Sequence, residues 1–229
     1  MISVVIPTLN ESSCLAKTLS ILLETAIGDL EIIVADGGSV DDTVAIALGY
    51  GVQVVTCDPG RAKQMNAGAA VATGDILMFL HGDTQVPKGF DRWADVFDCS
   101  QSRQIPIAAA FNLKINSDRR LLRIVEWGVK VRSRLFNLPY GDQALFLKAS
   151  TFRELGGFPE LPIMEDFVFV RSLLKYGKIT IVPAAVTTSA RRWEQQGVFK
   201  TTIINQIMIL GYYLGISPNH LKQWYRSTR

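Results

Sequence analysis

Acidic residues and one arginine stand at the ends of apolar stretches in the first half of the chain. Glu11 follows the first such stretch, Asp36 the second and Asp83 the fourth, while Arg61 follows the third. A carboxylate accepts hydrogen bonds from ribose hydroxyls or base N–H groups, and one or two carboxylates with a diphosphate hold a hard divalent cation. These residue types indicate a nucleotide site with a metal ion, on the condition that folding brings them together.

The elements that must bring them together alternate along the first half. Short apolar runs predict strands over residues 2–6, 31–35, 52–56 and 76–80, and helical spacing predicts helices between them, from about 10 to 24, from 41 and from 61 to 72. Apolar strands that alternate with helices indicate a parallel sheet covered on both faces. Right-handed crossovers then place the polar residues after each strand on one edge of the sheet, where such folds bind ligands.

The second half has a less regular, α+β pattern. Helices are predicted near 88–98, 119–136, 150–155, 165–176 and 198–214, and strands near 107–115, 143–148 and 178–186. No Pro/Gly/Ser-rich linker separates the halves. We therefore expect one domain over residues 1–229, with a ligand-binding half at 1–100 and a second half at 101–229 that ends in a helical tail.

Composition excludes several classes of protein. The chain has 229 residues, of which 48% are apolar and 20% charged, which excludes wholesale disorder. Three cysteines and two histidines disfavour a disulfide framework and a zinc site. No signal peptide and no membrane span are expected, so a cytoplasmic location is predicted. Nucleic-acid binding is not indicated, because no reader motif occurs.

Charge is divided unevenly between the halves. Residues 1–100 hold 5 Lys/Arg and 13 Asp/Glu, a net charge of −8, while residues 101–229 hold 19 and 8, a net charge of +11. One interpretation is a chance distribution over solvated faces. The other is an acidic metal-binding half joined to a basic half that handles phosphate or an anionic membrane surface.

Common motifs of other nucleotide and acyl chemistries are missing. The first strand is followed by Pro7–Ser13, which holds no glycine, so the GxGxxG dinucleotide fingerprint does not occur there. The chain also lacks GxxxxGK[ST] and GxSxG. Dinucleotide-dependent hydride transfer, P-loop chemistry and serine hydrolysis are therefore disfavoured.

A set of motifs in a defined order resembles the family 2 glycosyltransferases of the GT-A fold. The motifs are VVIPTLNE (4–11), IVADGGSVDDT (33–43), Gly60-Arg61 with Gln64, Asn66 and Gly68, then Gly74-Asp75, HGDT (81–84), GDQ (141–143), GGF (156–158), Glu165-Asp166 and SARRW (189–193). The set looks closest to small bacterial members, including those that glycosylate carotenoid-like lipids. The fold implied is a Rossmann-like, mostly parallel sheet flanked by helices, with an α+β half on the acceptor side.

The resemblance implies an inverting transfer of a sugar from a nucleotide-diphosphate sugar to a hydroxyl acceptor, with a lipid as one option. Asp166 is the implied catalytic base, and Asp83 the implied ligand of Mg²⁺ or Mn²⁺. Donor and nucleotide contacts are implied for Pro7, Thr8, Glu11, Asp36, Arg61, Gln64, Asp83, Arg191 and Arg192. Acceptor-side roles are implied for Gly141, Asp142, Gln143, Glu165 and Trp193.

Two departures from the family pattern weaken this transfer of roles. His81 stands where the DxD motif has its first aspartate, which removes one metal or ribose ligand. Ala35 precedes Asp36 where two aspartates are frequent, so one carboxylate is left for base recognition.

Each single residue also has a structural interpretation. Asp36 and Asp83 could be turn residues, and Gly141–Gln143 could form a plain turn. Glu165 and Asp166 could serve a helix N-terminus, and Arg61 with Gln64 could lie on a solvated helix face.

Two functions compete with glycosyl transfer. A nucleotidyltransferase on a related sheet would make nucleotide sugars, but such enzymes usually place a Gly-rich loop with Lys or Arg after the first strand. A non-catalytic nucleotide-sugar-binding module would agree with the missing DxD carboxylate. Separately, the basic segment Arg119–Arg134 and the apolar segment Val198–Ile216 could form a peripheral contact at the inner face of the plasma membrane, or pack on the domain with a charged outer face.

Overall fold

The computed structural model describes residues 1–98 and 105–227 as one α/β fold. The expected boundary between the halves, at residues 100 and 101, lies outside the described residues. The strands are β1 (Ile2–Thr8), β2 (Leu30–Asp36), β3 (Gln53–Thr56), β4 (Ile76–Phe79), β5 (Thr84–Gln85), β6 (Ala108–Asn116), β7 (Phe146–Lys148) and β8 (Ile179–Ser189). The helices are α1 (Ser12–Thr25), α2 (Thr43–Gly49), α3 (Arg61–Val71), α4 (Arg120–Leu135), α5 (Ala149–Glu154), α6 (Glu165–Leu173), α7 (Arg191–Gln196), α8 (Val198–Tyr213) and α9 (Pro218–Ser227), with 3₁₀ turns at Phe90–Phe97 and Gly141–Gln143.

The strands of the described chain form one sheet in the order β3-β2-β1-β4-β7-β6-β8-β5. Strands β3, β2, β1 and β4 are parallel, and so are β6 and β8, whereas β7 runs antiparallel to both β4 and β6. Because β1 is flanked by β2 and β4, the order of the strands reverses beside it. A crevice opens outside the carboxyl ends of the strands at such a switch point.

Alternating side chains of the central strand divide the interior into two cores. Val4 and Ile6 of β1 pack on one side with α1, α2 and α4, and Val5 packs on the other with α3, α5 and α6. Burial of both faces explains why this strand is a continuous apolar run. The close approach of α3 requires a glycine at position 68, since a Cβ there would lie 2.4 Å from Val5 Cγ1.

Most elements of both halves were predicted. In the first half, the predicted parallel strands and the three intervening helices are confirmed within one to three residues at their ends. In the second half, the helices predicted near 119–136, 150–155, 165–176 and 198–214 and the strands near 107–115 and 178–186 are confirmed within one to three residues at their ends, and the strand near 143–148 is confirmed over its last three residues. The helix predicted near 88–98 is a 3₁₀ turn instead. The sequence did not predict β5, α7 or α9, which are short or strongly polar segments whose structure depends on the elements they pack against.

A third, smaller cluster joins the last two helices to the start of α6. Ile204 and Met208 of α8 and Leu221 of α9 pack against Met164 and Phe167. The C-terminal helices thereby lie beside the Glu165-Asp166 pair. Within the residues described, no helix combines the length and apolar character needed to cross a bilayer.

Candidate active site

Loops after β1 and β2 lie side by side at the carboxyl edge and are fastened to each other. Thr8 and Asp36 are register partners at the ends of these strands. Asn10 N–H donates to Ser39 Oγ at 2.8 Å, and Glu11 N–H donates to Thr43 Oγ1 at 2.9 Å. These bonds between a backbone and a side chain hold the predicted donor loop in one conformation.

Asp36 is 1% exposed and is bonded within its own turn. Its Oδ2 accepts from the N–H groups of Gly38 and Ser39 at 2.9 and 2.8 Å, and its Oδ1 accepts from the Ser39 hydroxyl at 2.5 Å and from Thr8 Oγ1 at 3.3 Å. Asp36 is therefore a turn residue in this structure, as its structural interpretation predicted. Pro7 is half-buried within β1 next to it.

Gln64 is buried behind the same edge. Its Nε2 donates to the carbonyl oxygens of Thr8 at 2.6 Å and Ala35 at 3.1 Å, and its Oε1 accepts from Gly60 N–H at 3.3 Å. The side chain is thus committed to joining α3 to the ends of β1 and β2. Arg61, one helical turn before it, points elsewhere, so the two residues do not form one binding face.

Arg61 stands among acidic residues that are far apart in the sequence. Its Nη1 lies 3.7 Å from Glu165 Oε1, and half of its side chain is exposed. Desolvation lowers the pKa of Arg61, but Glu165, Asp166 and Asp83 outweigh it and the pKa lies above its ordinary value. The acidic residues of β4's loop and of α6 therefore meet at one cationic side chain.

Glu165 and Asp166 open α6 next to that arginine. Glu165 is 5% exposed. Burial raises the pKa of Glu165, the Arg61 guanidinium opposes the shift, and the neighbouring Asp166 adds to it. The residue before them, Met164, has φ of 70°, a left-handed conformation that is uncommon for a bulky side chain and often found at functional sites.

Asp166 faces Gly141 and His81 across a narrow gap. Its Oδ2 accepts from Gly141 N–H at 2.8 Å, and its Oδ1 accepts from Phe167 N–H at 2.7 Å. A Cβ at position 141 would lie 3.1 Å from Asp166 Oδ2 and 3.2 Å from His81 Nε2. Only a glycine lets these two side chains share the gap without displacement.

His81 has a buried Nε2 that meets no hydrogen-bond partner among the described residues. Burial, together with the nearby Arg61 guanidinium, lowers the pKa of His81 to about 3. The imidazole is therefore neutral near pH 7. A neutral ring nitrogen can donate or accept one hydrogen bond, depending on its tautomer.

The Gly141–Gln143 turn combines a structural residue with an acidic one. Gln143 is fully buried, its Nε2 donates to Phe111 O at 2.8 Å, and its Oε1 accepts from Arg132 Nη2 at 3.1 Å. Asp142 Oδ1 is buried and, within the described chain, without a hydrogen-bond partner. Burial raises the pKa of Asp142, Arg132 opposes that shift and Asp166 adds to it.

Asp83 lies beside Glu11 and Arg191, on the donor side of the predicted cleft. Burial raises the pKa of Asp83, Glu11 adds to the shift, and Arg191 opposes it. Arg191 Nη2 in turn lies 3.5 Å from Glu11 Oε2. Residues from β1's loop, β4's loop and α7 therefore form one charged group.

The charged group of Glu11, Asp83 and Arg191 suits a divalent cation that is also held by a bound ligand. No cluster of three or more His, Cys, Asp or Glu ligands occurs in the part of the chain that the structure describes. A desolvated Asp83 next to a second carboxylate is still favourable for a cation, because a positive charge would relieve their repulsion. The donor set therefore suits a cation that takes one or two carboxylates and the oxygens of a bound diphosphate.

The remaining predicted residues of α7 differ in their environments. Arg192 Nη2 donates to Asn205 Oδ1 at 3.3 Å, and its guanidinium lies 4.6 Å from the centre of the Tyr225 ring. Trp193 packs against the main core, and its Nε1 finds no acceptor among the described residues. Arg191 therefore faces the donor loops, while Arg192 holds the C-terminal helix.

Helix α9 brings two residues to the site that the sequence analysis missed. Tyr225 raises the pKa of Arg61, and Lys222 lowers that of Glu165, which places both side chains near the central ion pair. The helix itself was not predicted, because its single buried apolar residue, Leu221, gives no periodic pattern. No local sequence signal could have assigned these residues to the site.

Cys14 follows β1 at this edge, but its thiol does not suit a nucleophile. Burial and a hydrogen bond to Glu11 raise the pKa of Cys14 to about 12. The thiol is therefore protonated at neutral pH, and carboxylates remain the candidate bases.

The fold and this edge define a class of protein, the GT-A-type α/β proteins. In S. aureus TarS 1-349, solved in complex with UDP, the matching chain aligns with a TM-score of 0.66 at 19% identity, over 82% of this chain and 60% of that one. Glucosyl-3-phosphoglycerate synthase from Mycobacterium tuberculosis, solved with Mn²⁺, UDP and glucosyl-3-phosphoglycerate, aligns with a TM-score of 0.57 at 19% identity, over 82% and 70%. The predicted GT-A fold is confirmed.

Sequence comparison shows which family the N-terminal segment matches. Residues 3–92 match the family model described as Glycosyl transferase family 2. A PGL/p-HBAD biosynthesis glycosyltransferase of Mycobacterium bovis is 37% identical over 90 residues, which are 36% of this chain and 35% of that protein. The predicted recognition is confirmed: the chain carries a family 2 glycosyltransferase segment, although it spans about a third of the length of that curated relative. The narrower resemblance to carotenoid- or lipid-glycosylating members stays a prediction.

Proposed function

We propose that the protein is an inverting glycosyltransferase that moves a sugar from a nucleotide-diphosphate sugar to an acceptor hydroxyl. The observation that carries the proposal is the meeting of Asp83, Glu165 and Asp166 around Arg61 at the carboxyl edge of the sheet. The family match and the UDP complexes of proteins with this fold support it. The chain described is a single domain in this proposal, with the donor on the N-terminal side.

In this proposal the donor is bound by the loops after β1 and β2 and by two arginines. Thr8 and Glu11 border the crevice beside β1, and Asp36 and Gln64 hold its floor from beneath. Arg61 and Arg191, each about half exposed, are free to turn toward a diphosphate. Because negative charge develops on the leaving diphosphate, these guanidinium groups stabilise the transition state more than the ground state.

Asp166 acts as the base for the acceptor. A hydroxyl is much less acidic than a carboxylic acid, so Asp166 takes the proton during attack rather than before it, a contribution of about 10²–10⁴-fold. A single base without a second nucleophile fits one displacement, with inversion at the sugar carbon.

Asp83 would hold a Mg²⁺ or Mn²⁺ ion, with Glu11 nearby. The chemistry that such an ion supplies is neutralisation of the diphosphate charge. Asp83 itself orients the ligand and, with Glu11 and Arg191, sets the local charge. The Mn²⁺ in the glucosyl-3-phosphoglycerate synthase structure supports this assignment.

The two competing functions make different products. A nucleotidyltransferase would release pyrophosphate, and a binding module would release nothing. The family match favours glycosyl transfer over the first, and the buried polar atoms of His81 and Asp142 near Asp166, unpartnered among the described residues, favour a working site over the second. Incubation with a panel of nucleotide sugars and Mg²⁺ or Mn²⁺ separates the three, with nucleoside diphosphate as the expected product.

The base assignment is tested by Asp166→Asn. Asparagine keeps one acceptor oxygen for Gly141 or Phe167, so the fold is retained at a cost of about one hydrogen bond, roughly 0.5–1.5 kcal/mol. Transfer should fall by about 10²–10⁴-fold, while donor affinity in calorimetry is kept. The matched control is Asp75→Asn, 88% exposed at the opposite end of the sheet; turnover of Asp166→Asn equal to that control removes the base assignment.

The metal assignment is tested by Asp83→Asn. Loss of this carboxylate should weaken Mn²⁺-dependent donor binding by about tenfold or more, because the cation loses its one desolvated protein ligand. Calorimetric titration of the donor with and without Mn²⁺ measures this directly. An unchanged metal-dependent increment in the variant contradicts the role of Asp83.

A further inference from the structure

Helix α8 exposes an apolar row on the side away from the protein interior. The row consists of residues that are 45–72% exposed, namely Phe199, Ile203, Ile207, Leu210 and Leu214. A spacing of three or four residues places them on one helix face. Ile204 and Met208 of the same helix are buried against α6 and α9. The exposed row is therefore a second apolar face of a helix whose first apolar face is already packed on the protein.

Helix α4, which contacts α8, carries a similar row next to a basic one. Its exposed apolar residues are Leu121, Ile124, Trp127 and Leu135, with exposures of 42–71%. Exposed cations precede three of these four positions by one residue, at Arg120, Arg123 and Arg134, and so lie about 100° around the helix. The exposed apolar residues of α4 and α8 together are called the α4–α8 surface.

The charge on α4 identifies the kind of partner. The helix holds five Lys or Arg and one Glu, and Arg123 Nη2 lies 3.1 Å from that Glu126. In a two-fold pair the same surface would meet itself, so two strongly basic helices would come together. An anionic partner is attracted by the same charges, and a bilayer also takes up the aliphatic and aromatic side chains.

We propose that the α4–α8 surface docks this protein on an anionic lipid bilayer. Helix α8 lies in the plane of the interface in this arrangement, since it is too short to cross the bilayer. An apolar face and a basic row supply the two kinds of attraction that stable peripheral binding needs.

The location of the surface has a consequence for the acceptor, and this part rests on the proposed function. The buried face of α8 packs on Met164 and Phe167, which flank Glu165 and Asp166. A docked α8 therefore brings the acceptor side of the site to the bilayer. An acceptor hydroxyl on a lipid would reach Asp166 without leaving the membrane surface.

Vesicle sedimentation tests the docking without using catalysis. The full chain is mixed at low salt with vesicles of phosphatidylcholine and phosphatidylglycerol, or of phosphatidylcholine alone. Binding is expected to the anionic vesicles and to fall with added salt. The double variant Ile203→Ser/Leu210→Ser should bind the anionic vesicles at least about tenfold more weakly than the wild type, because two interfacial apolar side chains are lost.

Matched variants separate the apolar from the electrostatic part. Leu23→Ser/Leu48→Ser changes two leucines of α1 and α2 that are 51% and 60% exposed, and it should bind like the wild type. Arg120→Gln/Lys130→Gln/Arg134→Gln should lose about fivefold per cation at low salt. The leucine control variant and the arginine and lysine variant should both have the unfolding temperature of the wild type, because the side chains they change are exposed.

Three outcomes would overturn the proposal. These are no binding of the wild type to anionic vesicles, equal losses in the α8 and control variants, and self-association in light scattering that Ile203→Ser/Leu210→Ser abolishes. Release of nucleoside diphosphate without vesicles is measured in parallel. Vesicle binding without such release rejects the proposed function alone, and release without vesicle binding rejects the docking alone.

Discussion

At the scale of single residues, the gap between Gly141, His81 and Asp166 sets the tolerance of the site. A backbone N–H bond of 2.8 Å fixes Asp166 Oδ2 against Gly141. His81 Nε2 lies 3.2 Å from the position that a Cβ on Gly141 would take and is left without a hydrogen-bond partner among the described residues. A neutral ring nitrogen and a carboxylate therefore border the same backbone position.

Gly141→Ala should lower kcat with little change in donor affinity. The added Cβ would lie 3.1 Å from Asp166 Oδ2 and 3.2 Å from His81 Nε2, so both side chains must move by a few tenths of an ångström. Misplacement of a base on this scale should cost about tenfold. Steady-state kinetics checks it, with Gly128→Ala on α4 as control because a Cβ there meets nothing within 4 Å; equal kcat values in both variants would refute the tight-gap interpretation.

At the scale of elements, buried amides connect the strands to the helices that carry the site. Gln64 bonds two carbonyl groups and one N–H group of three different segments. Gln143 joins β6 to α4 and to the residue before its own turn, because its Nε2 donates to Phe111 O while its Oε1 accepts from Arg132 Nη2 and from Tyr140 N–H. Both residues look like ligand contacts in the sequence, but the structure shows side chains whose polar atoms are already bonded within the protein.

Gln64→Leu should destabilise the fold by roughly 2–5 kcal/mol, because the carbonyl groups of Thr8 and Ala35 and the Gly60 N–H group each lose one hydrogen bond. Chemical denaturation measures the loss. Lys63→Ala at the next position removes only an exposed ion pair with Asp58 and should cost about 0–1 kcal/mol. If the two variants proved equally stable, Gln64 would not be a tie between α3 and the sheet.

At the scale of the whole molecule, the C-terminal helices complete a site that the N-terminal half begins. Glu11 and Arg191 lie 3.5 Å apart across 180 positions of the chain. Helix α9 adds Lys222 and Tyr225 next to the Arg61–Glu165 pair. In the Glu11–Arg191 pair the acid comes from the first half and the cation from the second, whereas in the Arg61–Glu165 pair the two are reversed.

Leu221→Ala should loosen α9 and lower activity at the same time. Leu221 is fully buried between α8 and α6, and its truncation should cost about 2–5 kcal/mol. Because Lys222 and Tyr225 move with the helix, nucleoside diphosphate release should fall below that of Gln223→Ala, an exposed control on the same helix. Thermal unfolding and turnover are measured together, and a destabilised variant with full activity at low temperature would show that α9 is only structural.

Much of the first half could be predicted because its signals are local. The apolar runs of β1, β2 and β4 and the helical spacing of α1 depend on neighbouring residues alone. The 3₁₀ turn at Phe90–Phe97 and the antiparallel β7 could not be predicted so simply, because each is decided by the elements it packs against.

The amino-acid sequence by itself predicted the α/β class, the GT-A fold and a set of carboxylates at the ends of the strands, since hydrophobic periodicity and the order of motifs are properties of the chain. Only the tertiary structure decided which polar residues face the cleft. The polar atoms of Asp36 and Gln64 are hydrogen-bonded to backbone groups of the protein. Arg61, His81 and Asp166, in contrast, converge from three separate elements. The physical reason is that a buried polar atom must be hydrogen-bonded, and its partners come from parts of the chain that only folding brings near.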